Sequence, residues 1–283
     1  MIFAFLIEIF DIHNDYLTKY KTNKQKLNYL HRANNDNNTI ISAIWTSNIK
    51  SENCLPFIDN CKALLTSKNN YIAIEDLHFV SYDNIDEIAQ MKPKYAGLTW
   101  NYENKLCGGA DTNIGFSTFG KLAAHKLEAE GIQIDTAHLS EKGFLDFAGL
   151  TERPILCSHT AFDSLCSHNR NLKDYQIKII EASKGLIGVA FVSEFLTNNG
   201  KASIKDVIKH IDYYCQNYNY TCLALGTDFC GTSNYPKGIK DYCSITKIGV
   251  ELTKMGYSQS IIEDIFYNNA NRFFTNNQVF TQQ

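Results

Sequence analysis

Residues 132–138 read Ile-Gln-Ile-Asp-Thr-Ala-His and residues 154–159 read Pro-Ile-Leu-Cys-Ser-His, and between them lies a Ser-capped helical stretch at 140–147. Each short apolar run is the length of a buried strand, and each ends on a histidine. The unit repeats. Downstream it continues as helix 174–183, strand 186–191 (LIGVAF), amphipathic helix 203–214, strand 222–228 (CLALGTD) and helix 239–255. Upstream, strand candidates fall at 2–12, 39–47, 71–75 and 95–101, with helical spacing at 54–65, 85–91 and 117–130 and a polar, Asn- and Lys-rich stretch at 19–38. Strand then helix, counted to eight, predicts an α/β fold: a (β/α)8 TIM barrel spanning 1–283 as one domain, with 258–274 as a C-terminal helical tail. A doubly wound open sheet shares the alternation. It usually carries a Gly-rich phosphate loop after its first strand, where this chain has His13-Asn14-Asp15.

Composition narrows the function. The 283 residues are 44% hydrophobic and 20% charged with four prolines, which is ordinary for a folded protein. The net charge of −3 and the lack of a basic stripe argue against nucleic acid. Nine cysteines without a CxxC pair read as mostly buried free thiols in a reducing, cytoplasmic setting. The apolar start, interrupted by Glu8 and lacking a basic leader, reads as a first strand rather than a membrane span.

In a barrel, strand ends converge on one face, so residues far apart in sequence become neighbours there. His13 and Asp15, Glu75, His138, His159 and Asp228 all fall at strand ends. Alternation lets His13 and Asp15 face one ion while Asn14 points away. Imidazoles and carboxylates suit a pair of zinc ions that activate a water, with Glu75 as the bridging carboxylate and Asp228 as the group that carries the proton. Arg170, in the loop after the sixth strand, suits a grip on a substrate carboxylate. Singly, each has a plain structural alternative. Glu75 could be a surface carboxylate or helix cap, Asp228 a partner of Lys or Arg, and Arg170 a loop salt bridge. His78 reads as a solvent-facing loop residue, and His31, His125 and His210 read as surface residues.

The ordered segments DIHND (11–15), IED (74–76), GLTWNYEN (97–104), GFSTFGKLAAHKLEAEGIQIDTAHLS (115–140), PILCSHTAFDSLCSHNRNLKD (154–174), LGTDFCG (225–231) and NNANRFF (268–274) resemble the membrane (renal) dipeptidase family of zinc peptidases, in a bacterial-like branch carrying GLTWN. The resemblance implies a binuclear zinc barrel that hydrolyses dipeptides, tolerating a D-residue at the C-terminal position. It implies His13, Asp15 and Glu75 on one zinc and Glu75, His138 and His159 on the other. Arg170 would hold the substrate carboxylate, and Asp228 would sit by the amine and scissile bond. Trp100 stands where better-known members have a histidine that helps bind the scissile carbonyl oxygen, and Cys230 stands where they have an aspartate. The implied partner is a dipeptide, with a homodimer as a possible assembly and no membrane or nucleic acid. Two other functions stay open: a related hydrolase of another small amide, lactam or lactone, which Trp100 favours, and a zinc-binding relative without turnover.

Overall fold

The computed structural model describes residues 7–21, 38–65 and 67–276. Eight parallel strands close into a barrel in chain order: β1 (Phe10–Asn14), β2 (Thr39–Trp45), β3 (Asn70–Glu75), β4 (Tyr95–Gly97), β5 (Gln133–Asp135), β6 (Leu156–Thr160), β7 (Leu186–Val189) and β8 (Leu223–Leu225). β1 pairs with both β2 and β8, which closes the ring. Helices cover the outside, and the fold is a (β/α)8 barrel.

Two apolar layers hold it together. One lies between strands and helices. The other fills the barrel interior with Ile12, Ile41, Ala43, Ala73, Leu156, Leu186 and Ala224, and it is capped by the tail residues Ala270, Phe273 and Phe274. The tail is a run of helix from Gln259 to Asn276, and Phe274 stacks on Phe10 with ring centroids 5.7 Å apart. It therefore seals one end of the barrel with aromatic side chains and leaves the other end for chemistry.

Helix starts follow the capping residues read in the sequence. The Ser117 hydroxyl accepts from the Gly120 N–H and that of Ser140 from the Gly143 N–H, each at 2.9 Å. Strand ends differ from the expectation. β1 begins at Phe10, and residues 2–6 of the expected strand, like residues 22–37 of the polar stretch and His31, lie outside the described residues. β4, β5 and β8 stop three or four residues early, so Trp100, His138 and Asp228 stand on loops above the strands. At β5 the cause is local. The Asp135 carboxylate accepts from the Ala137 and Ser158 N–H groups, which turns the chain out of the ladder.

Two histidines depart from the surface reading. His78 is half-buried, with Nε2 3.1 Å from the Ile49 carbonyl and Nδ1 3.4 Å from Asp76. His210 is fully buried: its Nδ1 accepts from the Phe162 N–H at 3.2 Å and its Nε2 donates to the Leu196 carbonyl at 3.1 Å. It thus ties the helix Ile204–Asn217 to the loops after β6 and β7 that border the barrel mouth. His125 is exposed.

Burial pushes His210 down from 6.5 to about 4, although its hydrogen bond to Leu196 favours the charged ring. A group with a depressed folded-state pKa leaves the unfolded chain binding the proton more readily below pH 6.5. Its contribution is therefore present in full above that pH and is lost as the pH falls toward 4. Between pH 7 and pH 5 the wild-type unfolding free energy should drop by about 2 kcal/mol more than that of His210→Gln, which keeps a donor and an acceptor but does not titrate. Urea titrations at the two pH values measure this, and equal drops would mean that His210 is not held neutral.

Candidate metal centre

Six side chains converge at the C-terminal end of the barrel. His13 is the penultimate residue of β1, Asp15 follows it, Glu75 ends β3, and His159 lies in β6. His138 and Asp228 each stand three residues past their strands. All six are buried, His13 completely and Asp228 to 9% exposure.

Glu75 stands between two groups. Its Oε1 is 2.7 Å from His138 Nε2 and 4.0 Å from His159 Nε2. Its Oε2 is 3.9 Å from His13 Nε2, which also lies 3.6 Å from Asp15 Oδ2 and 4.0 Å from Asp228 Oδ1. The Glu75, His138 and His159 donor atoms lie within 4.8 Å of one another, as do those of His13, Asp15 and Asp228. Around a tetrahedral zinc with bonds of about 2.0–2.2 Å, neighbouring donor atoms stand roughly 3.3–3.6 Å apart. The set around His13, at 3.6–4.0 Å, is thus too wide for direct hydrogen bonds and open enough for an ion, whereas His138 Nε2 stands within hydrogen-bond distance of Glu75 and 2.9 Å from His159 Nε2.

The ring nitrogens facing this space are lone-pair donors, because the opposite nitrogen of each ring is committed. Tyr95 donates its hydroxyl hydrogen to the Ile12 carbonyl, so its oxygen, 2.8 Å from His13 Nδ1, accepts a hydrogen from that ring. Ser158 likewise donates to Asp135 at 2.5 Å and accepts from His159 Nδ1 at 2.8 Å. Asn101 Oδ1 accepts from His138 Nδ1 at 2.8 Å. All three histidines are thus held as the tautomer that turns Nε2 toward Glu75. His13 Nε2 is buried with no hydrogen-bond partner, an arrangement that costs stability unless something fills the gap.

The electrostatics point the same way. Burial disfavours the Glu75 carboxylate, but His138, His13 and Arg170 outweigh it and hold the group down at about 2. Burial also disfavours a charged His13 ring, yet Asp15, Glu75 and Asp228 push it up to about 9. Positive charge is therefore favoured at His13 Nε2. Burial drives His138 down to about 4 and His159 well below its usual range, helped in both cases by the Arg170 charge, so both stay neutral and able to donate a lone pair.

Above these groups opens a cavity of a size typical of small-ligand sites. It measures about 760 Å³ and is lined by Trp45, Trp100, Asn101, Arg170, Phe195, Asp228 and Cys230 beside the cluster. Arg170 is 4% exposed. Its Nη2 lies 3.2 Å from His138 Nε2, while Nε and Nη1 have no partner. Among the described residues no carboxylate lies in salt-bridge range of Arg170, and none of the cations there pairs with Asp228 except His13. Gly231 makes room for the cluster, since a Cβ at that position would collide with the Asp228 and Asp15 carboxylates.

Asp76, next to Glu75, takes no part. Its carboxylate accepts from Ser47, Asn104 and the His78 N–H, which fixes the loop after β3. Nothing in the sequence singles out Tyr95, Asn101, Asp135 and Ser158, which orient the rings. Their placement in or just after strands is the only sequence signal they carry.

The profile of the family described as membrane dipeptidase (peptidase family M19) matches residues 41–283. The chain is 29% identical over 192 residues to an uncharacterized protein encoded in the pqqA 5′ region of Klebsiella pneumoniae, an alignment covering 64% of this chain and 70% of that one. It is 26% identical over 208 residues to an uncharacterized dipeptidase of Schizosaccharomyces pombe, covering 68% of this chain and 50% of the relative, so the match spans half of that protein's length. In fold it is similar to a metallopeptidase from Rhodobacter sphaeroides whose crystal structure holds a phosphinate mimic of the dipeptide L-Ala-D-Ala; the TM-score is 0.85 at 19% identity, covering 95% of this chain and 99% of the other. Among the described residues no helix is long and apolar enough to cross a membrane. With the profile match running from β2 through the tail, this chain belongs to the membrane dipeptidase family.

Proposed function

We propose that the protein is a binuclear zinc dipeptidase that hydrolyses the amide bond of dipeptides, including those with a D-residue at the C-terminal position. The observation that carries this reading is Glu75, whose two oxygens face separate nitrogen-bearing groups beside a guanidinium, that of Arg170, whose Nε and Nη1 have no partner. His13, Asp15 and Glu75 would hold one ion, and Glu75, His138 and His159 the other. Two zinc ions there would supply an activated water and polarise the scissile carbonyl.

The chain's own residues supply the rest. Arg170 binds the substrate's terminal carboxylate, a pairing strengthened by the low exposure of the guanidinium. Because that carboxylate lies only a few atoms past the scissile bond, a fixed arginine beside His138 restricts substrates to two residues. Asp228 takes a proton from the attacking water and returns it to the leaving amine. Tyr95, Ser158 and Asn101 keep the imidazoles in register. The L-Ala-D-Ala mimic held by the Rhodobacter sphaeroides neighbour supports the substrate class. A single-domain, cytoplasmic enzyme belongs to the same reading, supported by nine cysteines that form no disulfide.

Trp100 favours a second reading, hydrolysis of another small amide, lactam or lactone, because an indole cannot become cationic and offers a single donor. Arg170→Ala separates the two. Truncating one member of a buried charged pair costs on the order of 2–5 kcal/mol, or roughly 30-fold or more in rate. The variant should lose that much kcat/KM on a free-acid dipeptide and far less on its C-terminal amide. Equal losses on both would assign Arg170 to loop support and move the weight to the second reading.

A further inference from the structure

The aromatic side chains at the barrel mouth are not scattered. Trp45 ends β2 and Trp100 stands three residues past β4, so the two flank the end of β3, where Glu75 lies. Their rings meet at 5.3 Å between centroids, and Tyr102 continues the strip, 5.9 Å from Trp100 and exposed to solvent. Both indoles are half-buried and line the cavity. The polar atoms nearest the wall are already committed: Thr18 Oγ1 donates to the Ala43 carbonyl and accepts from the Trp45 N–H, and Asn101 Oδ1 is taken by His138. The Trp45 indole Nε1 is buried without a partner. The wall therefore presents ring faces, in a cavity that Lys19 also lines.

From this placement we propose that Trp45 and Trp100 form the side-chain subsite for the substrate's amino-terminal residue, and that the enzyme prefers dipeptides whose first side chain is large and aromatic or apolar. The assignment rests on the dipeptidase reading above. In the closed ring β2 stands across from β6, the strand that precedes Arg170. A dipeptide with its carboxylate on Arg170 and its scissile carbonyl over the cluster extends its amino-terminal residue away from β6. At that residue's Cα, the amine turns toward Asp228 after β8. The side chain is left to the arc from β2 to β4, where the indoles stand. An aromatic side chain gains there both apolar burial and ring contacts, whereas a carboxylate gains neither and is desolvated against the ring faces.

The test compares Phe-Ala, Ala-Phe, Ala-Ala and Asp-Ala as substrates of the zinc-loaded protein. Burial of a phenyl ring predicts a kcat/KM for Phe-Ala at least about tenfold above that for Ala-Ala, a gain of less than about threefold for Ala-Phe, and Asp-Ala as the poorest. In Trp45→Leu and Trp100→Leu the ratio of Phe-Ala to Ala-Ala should fall toward one. A second measurement needs neither a variant nor turnover. Trp45 and Trp100 are the two tryptophans of the chain, so their intrinsic fluorescence reports on this wall alone. A phosphinate dipeptide analogue with a benzyl group at the amino-terminal position should change that emission and bind about tenfold more tightly than the methyl analogue. Rates for Phe-Ala and Ala-Ala within threefold of each other, or a gain confined to Ala-Phe, would overturn the subsite while leaving the dipeptidase reading intact. Failure to hydrolyse any of the four would overturn that reading and the subsite with it.

Discussion

Glu75→Gln is expected to retain less than one metal ion per chain under conditions in which the wild type retains close to two, and to lose dipeptidase activity by more than about a thousandfold. The side chains are nearly the same size, so the change isolates charge and donor strength. A carboxylate offers each ion an anionic oxygen; an amide offers one neutral oxygen and a nitrogen that does not ligate. Even residues that only orient metal ligands cost roughly 10–100-fold in affinity when removed, and Glu75 faces both halves of the cluster. His138→Ala removes a nitrogen from one half and should leave about one ion. Elemental analysis after gel filtration gives the stoichiometries, and circular dichroism checks that both variants are folded. Two ions retained in Glu75→Gln would take Glu75 out of the shared position.

The barrel was legible because most of the strand candidates are apolar runs closing on a polar or titratable residue, and in the second half the pattern recurs at nearly even spacing. The strand ends were not legible. At 132–138 the apolar pattern runs on through Ala137, but the Asp135 carboxylate captures two backbone N–H groups and ends the strand at its own position. The cluster could be read because His and acidic residues at strand ends must meet on one face. The residues that aim them could not, since Tyr95 and Ser158 reach His13 across 82 and 145 positions of sequence and look from sequence like ordinary strand residues. His210 was misread for a related reason. An imidazole on an amphipathic helix fits either face, and only the loops that pack over it, through the Phe162 N–H and the Leu196 carbonyl, decide for the interior.

Asp228→Asn is expected to fold, to keep both metal ions and to lose kcat by about 10²- to 10⁴-fold, the range that general acid–base groups contribute. Asparagine is the right probe for a structural reason. Asp228 has φ of +57°, in the left-handed region that asparagine and aspartate enter more readily than other side chains except glycine. An alanine there would add backbone strain to the chemical loss. Space is equally tight, because the Asp228 carboxylate lies against Gly231 and within 4.0 Å of His13 Nε2. An isosteric amide respects both limits. It can replace an oxygen that accepts a hydrogen bond, but it cannot accept the proton of the attacking water and pass it to the leaving amine. The same position tests a different role. Because Asp228 stands with His13 and Asp15 in one set of candidate ligands, a variant that loses one ion would show that Asp228 binds metal rather than carrying the proton. Elemental analysis and steady-state kinetics on one preparation separate these outcomes. Full metal content with near-normal kcat would assign the proton to another group.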